Sequence, residues 1–278
     1  MRAEMDDFLP AQAPPNAKLQ VIDFATSNPA LPEYNGRLAA VIDDILTHEE
    51  CSELLRRVEA STPSTTATWE RALVNVGNGK QALATDVRNC GRIILDDHDL
   101  AARLLNRLFP FLQTLQLDTI ADRPLITGLA GRGKTYRLTR INERLRFLRY
   151  QGGEYFDVHG DGVYVTPDNQ ERSLITIHLY LNGDGEQDLD ELRREKRAAG
   201  DSGQYNRDVD GKLLGGATSF MEMYGIGKED DQHLRVFPRT GSVLVFQQRD
   251  LLHSGDPVVR GTKYTVRSDI MYREEGCI

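Results

Sequence analysis

Apolar residues recur every three or four positions in two stretches of the chain, which is the spacing of one helix face. The first stretch predicts a helix over residues 48–60, because Thr47 and Glu50 have the spacing of a capping box at its start. The second predicts a helix over residues 97–109, because it begins with acidic residues and Pro110 follows as a stop signal. We expect both helices to support a sheet.

From residue 144 onward the pattern changes to short runs rich in β-branched and aromatic residues, separated by Gly, Pro, Asp and Asn. Many short strands punctuated in this way are typical of a β-sandwich or barrel. The predicted strands are RFLRY, YFDVH, SLITIHLYLN, GATSFMEM, SVLVFQQ and KYTVRSDIMY. The chain is therefore predicted to be mainly β with supporting helices.

Two of these runs alternate between apolar and polar residues, as a strand does when its two faces meet different surroundings. The apolar face of each run is expected to pack in the core. The opposite faces carry Thr176, His178 and Tyr180 in one run, and Lys263, Thr265, Arg267 and Asp269 in the other. Such a polar face is most often a solvated outer surface, and it lines a site only if other residues turn it inward.

The chain is predicted to form one domain with an N-terminal arm and an internal insertion. Residues 1–20 combine acidic residues with several prolines, which favours a disordered arm over a signal peptide and indicates a cytoplasmic protein. Residues 21–278 are predicted to form a single domain. A charged, glycine-punctuated insertion at about 183–214 is too long for an ordinary hairpin loop and is expected to contain a short helix around 188–198. The insertion is equally consistent with a lid over a site and with a solvated loop that has no catalytic role.

Composition excludes several classes of function. The chain has 278 residues, of which 40% are hydrophobic, and none of its apolar runs approaches the roughly 18 residues that cross a bilayer. We therefore expect no membrane partner. A formal net charge of −8 disfavours nucleic acid as a partner, since phosphate binding needs clustered Lys and Arg. The three cysteines show no CxxC spacing, which argues against a disulfide framework and fits a reducing compartment.

One motif points to a nucleotidase. GLAGRGKT, residues 128–135, satisfies the GxxxxGK[ST] pattern of a phosphate-binding loop. A loop of that kind follows a buried strand and opens a helix, whereas the preceding ADRPLIT is short and contains Pro124. The pattern therefore predicts a flexible glycine-rich turn ahead of a strand.

A second motif points to a metal site. His159 and Asp161 are two positions apart in FDVHGDGVYV, so in an extended segment both side chains lie on one side. Burying either without a partner is costly, and a shared metal ion would satisfy both. His253, after SVLVFQQ, is the best-placed third ligand, and two His with one carboxylate form the ligand set of non-haem Fe(II) sites. An HxD pair alone is also consistent with a capped turn.

Residues 144–273 resemble the Fe(II)- and 2-oxoglutarate-dependent oxygenases, in the prolyl-4-hydroxylase-like branch. The matching segments are RYQGGEYFDVHGDG, LITIHLYLN, GGATSF and FPRTGSVLVFQQRDLLHSGDPVVRGTK. Members of this family carry an HxD, a distal histidine and a basic residue about ten positions further on, where this chain has Lys263. The resemblance implies a double-stranded β-helix (jelly-roll) core and Fe(II), 2-oxoglutarate and O2 as cofactors.

The resemblance also implies roles for individual residues. His159, Asp161 and His253 would bind Fe(II) and form the catalytic centre. Lys263 would pair with the distal carboxylate of 2-oxoglutarate, because a partly dehydrated dicarboxylate needs a cation nearby.

Five further residues are candidates around that centre. Tyr180 and Tyr150 resemble tyrosines that hydrogen-bond the 2-oxoglutarate carboxylate, although each is also consistent with a core aromatic. Arg267 lies on the same strand face as Lys263, so it either takes over that carboxylate or faces the substrate. His178 is expected to line the pocket and contact substrate. Arg88, in DVRNCGRIILDD, is a candidate for substrate contact or a surface arginine.

The predicted activity is hydroxylation of an unactivated C–H bond in a small molecule. A free amino or imino acid or a secondary-metabolite intermediate, held through its carboxylate by Arg88 or Arg267, fits the absence of a separate peptide-binding domain. Two alternatives stay open. One is hydroxylation of a prolyl residue in a protein or peptide, and the other is a non-catalytic metal-binding barrel that acts as a sensor or scaffold.

Overall fold

A computed structural model describes residues 8–63, 68–75, 80–200, 205, 208–222 and 232–276. Strands account for 36% of the structure and helices for 22%, so the prediction of a mainly β protein with supporting helices is confirmed. None of the helices within these ranges is long and apolar enough to span a membrane.

Four α-helices lie in the described ranges, and the first has the predicted bounds. They are α1 (His48–Ala60), α2 (His98–Thr114), α3 (Pro124–Thr127) and α4 (Leu189–Ala199). The capping box of α1 is present, because the Thr47 hydroxyl accepts from the Glu50 backbone N–H at 3.2 Å and the Glu50 carboxylate accepts from the Thr47 N–H at 2.9 Å. Short 3₁₀ turns cover Pro32–Tyr34 and Leu129–Gly131.

Pro110 does not end α2, so the predicted stop was wrong. The helix continues to Thr114. Pro110 and Asn106 both lie on the exposed face of the helix. The Asn106 carbonyl lacks a backbone donor because proline has no N–H, and water can donate to it there. On the opposite face Leu112 is fully buried in the core, and this packing outweighs the cost of the proline.

The strands form two larger antiparallel sheets and two small two-stranded sheets. In chain order they are β1 (Lys18–Val21), β2 (Ala39–Asp43), β3 (Glu70–Arg71), β4 (Val74–Asn75), β5 (Gln81–Ala82), β6 (Arg88–Asn89), β7 (Gly91–Asp96), β8 (Thr119–Ala121), β9 (Thr135–Ile141), β10 (Arg144–Gln151), β11 (Tyr155–His159), β12 (Arg172–Tyr180), β13 (Leu214–Gly215), β14 (Thr218–Phe220), β15 (Leu234–Val236), β16 (Val243–Gln247), β17 (His253–Gly255), β18 (Val258–Arg260) and β19 (Thr262–Glu274). The major sheet runs β1-β2-β16-β12-β19-β10-β7-β3, with β9 pairing β19 and β8. The minor sheet runs β15-β14-β17-β11-β6.

The two sheets face each other as a double-stranded β-helix, and the helices cover the outside of the major sheet. The outward faces of β12 and β19 supply Ile177 and Val266 to the main hydrophobic cluster, which also contains Leu54 of α1 and Leu104 of α2. The predicted support of the sheet by these helices is confirmed. The alternating polar faces of β12 and β19 therefore point toward the minor sheet, not toward bulk water.

The predicted disorder of residues 1–20 is wrong for residues 8–20. Leu9 is 1% exposed in the main cluster, and buried Arg107 of α2 donates to the Pro10 carbonyl at 2.7 Å. Residues 18–20 belong to β1, which extends the edge of the major sheet by pairing with β2. A few apolar residues anchor this segment, and they are too sparse to show a periodic pattern in the sequence. Residues 1–7 lie outside the described ranges.

The segment that matched a phosphate-binding loop has a different structure. It forms the Leu129–Gly131 turn and then enters strand β9, whereas a phosphate-binding loop would open a helix. Lys134 pairs with Glu274 at 2.9 Å. The expectation of a turn ahead of a strand is confirmed.

The insertion around 183–214 contains the expected helix as α4. Its Leu192 is buried against Leu214, Phe237 and Val259, so the helix packs on the β13–β18 pair. Residues 201–204 and 206–207 of the insertion lie outside the described ranges.

Glu50 joins α1 to α2 and gives a test of the fold. Both its oxygens accept from the 2% exposed Arg107, at 2.6 and 2.7 Å, besides closing the capping box. We expect Glu50→Ala to lower the free energy of unfolding by about 3–5 kcal/mol, because it leaves a buried guanidinium uncompensated. Glu53→Ala, which removes solvent-accessible pairs in the same helix, should have a much smaller effect. Urea unfolding checks both, and equal effects would contradict this account.

Candidate metal centre

Strand pairing in the minor sheet brings the two histidines together. β11 and β17 are antiparallel neighbours, and His159 stands directly opposite His253. Directly opposite residues point to the same side, which here is the space between the sheets. Asp161 follows β11 by two residues and turns into the same space.

The three side chains converge on one point. Their ligand atoms all lie within 4.8 Å of one another. His159 Nε2 is 3.9 Å from Asp161 Oδ1, and His253 Nε2 is 3.8 Å from Asp161 Oδ2. The predicted triad is therefore assembled, although its members are up to 94 residues apart in the sequence, from 159 to 253.

Backbone carbonyls orient both imidazoles. His159 Nδ1 lies 2.7 Å from the Asp157 carbonyl, and His253 Nδ1 lies 3.2 Å from the Leu251 carbonyl. A carbonyl can only accept, so each Nδ1 carries the proton and each Nε2 keeps a lone pair. Metal-binding histidines are commonly held in this way by the second ring nitrogen.

The protonation states suit metal binding. Burial and the neighbouring His253 lower the pKa of His159 to about 3, and burial lowers the pKa of His253. Burial alone would raise the pKa of Asp161, but Arg267, the two imidazoles and the Thr176 hydroxyl outweigh it and lower that pKa. Two neutral imidazoles and one carboxylate fit a divalent metal of the non-haem iron type.

Lys263 lines the same pocket as the two histidines. It is 1% exposed, and its Nζ lies over the rings of Tyr150 and Tyr180, at 5.2 and 5.7 Å from their centroids. Within the described ranges no carboxylate lies within 4 Å of it, and burial lowers its pKa to about 8. Gly216, at φ +70°, permits this packing, since a Cβ there would meet the lysine Cδ at 3.1 Å.

The two candidate tyrosines border the same space. The buried Tyr180 hydroxyl donates to Thr218 Oγ1 at 2.8 Å, and burial raises its pKa. Tyr150 is buried beside Arg88 and Cys90, and burial raises its pKa as well. Both tyrosines are therefore neutral hydrogen-bonding groups beside Lys263.

Arg88 and His178 also line the pocket. Arg88 is 9% exposed, and its guanidinium stacks on Phe156 at 4.5 Å, so the alternative of a surface arginine is excluded. His178 stacks on Tyr180 at 5.1 Å, and its buried Nε2 has no hydrogen-bond partner in the described part of the chain. Burial, reinforced by Lys263 and Arg267, lowers its pKa, so the imidazole is neutral.

Arg267 lines the pocket and also makes a contact that neither prediction for it included. Its Nη2 lies 2.7 Å from Asp161 Oδ1 and 3.4 Å from Asp269 Oδ1. Burial opposes its charge, but these two carboxylates outweigh burial and raise its pKa. The guanidinium is thus directed at the metal-binding carboxylate.

Three threonines and one aromatic residue complete the site without having been proposed as site residues. Thr176 donates to Asp161 Oδ2 at 2.6 Å, Thr218 holds Tyr180, and the buried Thr265 hydroxyl has no partner among the described residues. Phe156 stacks on His159 at 3.7 Å. Strand alternation placed Thr176 and Thr265 on the correct face, but their residue type carries no chemical signal of its own.

Comparisons with known proteins bear on this geometry. Residues 145–268 match the model described as the 2OG-Fe(II) oxygenase superfamily. No curated protein was found to match the chain in sequence.

Several solved structures are similar to this one. A viral collagen prolyl hydroxylase from Paramecium Bursaria Chlorella virus-1, in a 2OG complex, is 16% identical, with a TM-score of 0.46 over 86% of this chain and 97% of that one. A Pseudomonas putida prolyl-4-hydroxylase is 15% identical, with a TM-score of 0.47 over 86% and 96%. A Trichoplax adhaerens prolyl hydroxylase, in complex with a hypoxia inducible factor peptide fragment, is 14% identical, with a TM-score of 0.46 over 86% of each chain.

The triad predicts an effect on metal affinity that can be measured without turnover. We expect Asp161→Ala to weaken binding of Mn(II) by at least about 100-fold, because the charged member of a three-ligand set is lost. Asp157→Asn is the matched control, since its exposed side chain is on the same strand and its carbonyl, which orients His159, is unchanged. Equilibrium dialysis measures both, and similar affinities in the two variants would rule out the proposed ligand set.

Proposed function

Because residues 145–268 belong to the 2OG-Fe(II) oxygenase superfamily, we propose that this 2-oxoglutarate-dependent dioxygenase hydroxylates an unactivated C–H bond of a small, acidic molecule. The observation that carries the proposal is a pocket lined by the histidines of a His-Asp-His triad and by a buried lysine that has no carboxylate within 4 Å among the described residues. The enzyme uses Fe(II), 2-oxoglutarate and O2.

Bound Fe(II) with 2-oxoglutarate supplies the oxidising chemistry, in which the substrate C–H becomes C–OH while 2-oxoglutarate and O2 become succinate, CO2 and the new hydroxyl group. His159, Asp161 and His253 would hold the metal through two Nε2 atoms and one carboxylate oxygen. Three protein ligands leave positions on an octahedral ion for other ligands.

Lys263 would bind the distal carboxylate of 2-oxoglutarate. A charge-assisted hydrogen bond to its buried ammonium would offset the desolvation of that carboxylate. The buried Thr265 hydroxyl, which has no partner among the described residues, lies on the same strand face as Lys263 and can donate to the same carboxylate. The apolar side chains of Leu148, Phe156 and Phe246 line the pocket and exclude water from the reacting atoms.

The surroundings of Arg88 favour an acidic substrate. The guanidinium is buried in the pocket, yet within the described ranges no carboxylate lies within 4 Å of it. Buried charges are normally paired, because an unpaired one costs several kcal/mol. The charges of Fe(II) and 2-oxoglutarate cancel each other, so these two ligands do not compensate Arg88. An anionic group on the substrate would do so.

Lys263 predicts a pH dependence of cosubstrate binding. Its pKa of about 8 means that the free protein loses the anchoring charge as the pH rises through that value, whereas 2-oxoglutarate binds the protonated form. We expect the affinity for 2-oxoglutarate, measured by calorimetry with Mn(II) present, to fall about tenfold per pH unit above that pKa. Lys263→Arg should flatten the profile, since arginine stays protonated. A flat wild-type profile would exclude Lys263 as the anchor.

Turnover tests the function itself. We expect protein with Fe(II), 2-oxoglutarate and O2 to release succinate, and to form a hydroxylated product with carboxylic acids but not with their amides. Arg88→Gln should raise the KM for the acid by about 100-fold, as expected for a lost charge-assisted contact, with a small effect on the 2-oxoglutarate KM. Lys134→Ala is the control and should leave both unchanged.

The outcomes of this experiment separate the alternatives. Hydroxylation of a proline-containing peptide with no reaction of free acids would replace the small-molecule substrate by a peptide. Absence of succinate under all conditions would favour a non-catalytic metal-binding barrel.

A further inference from the structure

Both oxygens of the metal-binding carboxylate already have protein partners. Arg267 Nη2 lies 2.7 Å from Asp161 Oδ1, and Thr176 Oγ1 donates to Oδ2 at 2.6 Å. The Asp161 side chain is 6% exposed, so these two groups compensate most of its charge without water.

A buried network holds Arg267 in this position. Its second partner, Asp269, is 4% exposed in its side chain and accepts from Gln248 Nε2 at 2.9 Å and from Arg146 Nη1 at 3.3 Å. Gln248 in turn accepts from Ser173 at 2.8 Å. The orientation of the guanidinium is therefore determined by residues of β10, β12 and β19 and by the residue that follows β16.

We propose that Arg267 is a built-in counter-ion of the Asp161 carboxylate, which stabilises the metal-free triad and weakens its affinity for divalent metal. The inference rests on the metal site of the proposed function. It assigns Arg267 a positioning and tuning role, separate from cosubstrate and substrate binding.

Arg267 has different effects on Asp161 before and during metal binding. Before metal binds, a charged carboxylate between two sheets needs a cation, and Arg267 supplies it, so the ligand set is folded and oriented in advance. When a divalent ion approaches, the same guanidinium repels it and shares the carboxylate with it. Removing the arginine therefore destabilises the metal-free protein and strengthens metal binding.

Arg267 and Lys263 have different surroundings, and this difference separates their proposed roles. The lysine ammonium has no carboxylate within 4 Å among the described residues, so it is available to a ligand. The positive charge of Arg267 is already compensated by two carboxylates, both of which its Nη2 contacts.

Mn(II) titration of the full chain tests the proposal, with free Mn(II) counted by its EPR signal. We expect Arg267→Met to bind Mn(II) about tenfold or more tightly than wild type, because a like charge beside the ion is removed. The variant should also show a lower melting temperature without metal and a larger increase on adding Mn(II). Arg267→Lys, which keeps the positive charge, should stay within about threefold of wild-type affinity.

A second variant is expected to change the Mn(II) affinity in the opposite direction. Asp269→Asn removes a carboxylate from Arg267 and Arg146, which makes the cluster more positive, so Mn(II) should bind about tenfold more weakly. General damage to the site would weaken binding in both variants. The proposal is overturned if Arg267→Met binds Mn(II) no more tightly than wild type does. If that variant does not fold, the proposal is overturned when Asp269→Asn binds Mn(II) as tightly as wild type or more tightly.

Two further outcomes separate the proposal from the proposed function. If wild type binds no Mn(II), the metal site fails and the counter-ion role fails with it. If wild type binds Mn(II) and Arg267→Met changes only the affinity for 2-oxoglutarate, the metal site stands, and Arg267 is a cosubstrate anchor instead of a counter-ion.

Discussion

Asp161 places a charged carboxylate between two sheets, and such a group is stable there only when cations and hydrogen-bond donors compensate it. Arg267 and Thr176 of the major sheet contact its two oxygens. Asp161 itself follows β11 of the minor sheet, and the same sheet holds both histidines on β11 and β17. The site is therefore a property of the closed sandwich, and no single segment of the chain can form it alone.

The same strands serve stability and chemistry on opposite faces. On β12 and β19 the outward residues pack under α1 and α2, while the inward residues reach the pocket. A slip of one residue in either strand would exchange the two faces and remove core and site together. The antiparallel registers set His178 opposite Arg267 and Tyr150 opposite Lys263, and so determine which side chains the major sheet presents to the pocket.

Local physics explains which features could be predicted from the sequence. The capping box and apolar spacing define α1, and the period-two alternation assigns the two faces of β12 and β19, because both signals lie within one element. The order of HxD, distal histidine and lysine led to the triad and the anchor. Three-dimensional packing decides the remainder: Leu112 carries α2 past Pro110, and Leu9 orders a segment whose composition suggested disorder. The partner of Arg267 also depends on which groups two sheets bring together, and spacing along one strand does not contain that information.

The central claim is that metal and dicarboxylate bind in one pocket, with the triad at one end and Lys263 at the other. Thermodynamic coupling between the two ligands tests this most directly, because binding to a shared site is reciprocal. Calorimetric titration of 2-oxoglutarate should give one site per chain with Mn(II) present, and an affinity at least about 100-fold weaker without it. Equal affinity with and without the metal would contradict the account, since the dicarboxylate would then bind away from the triad.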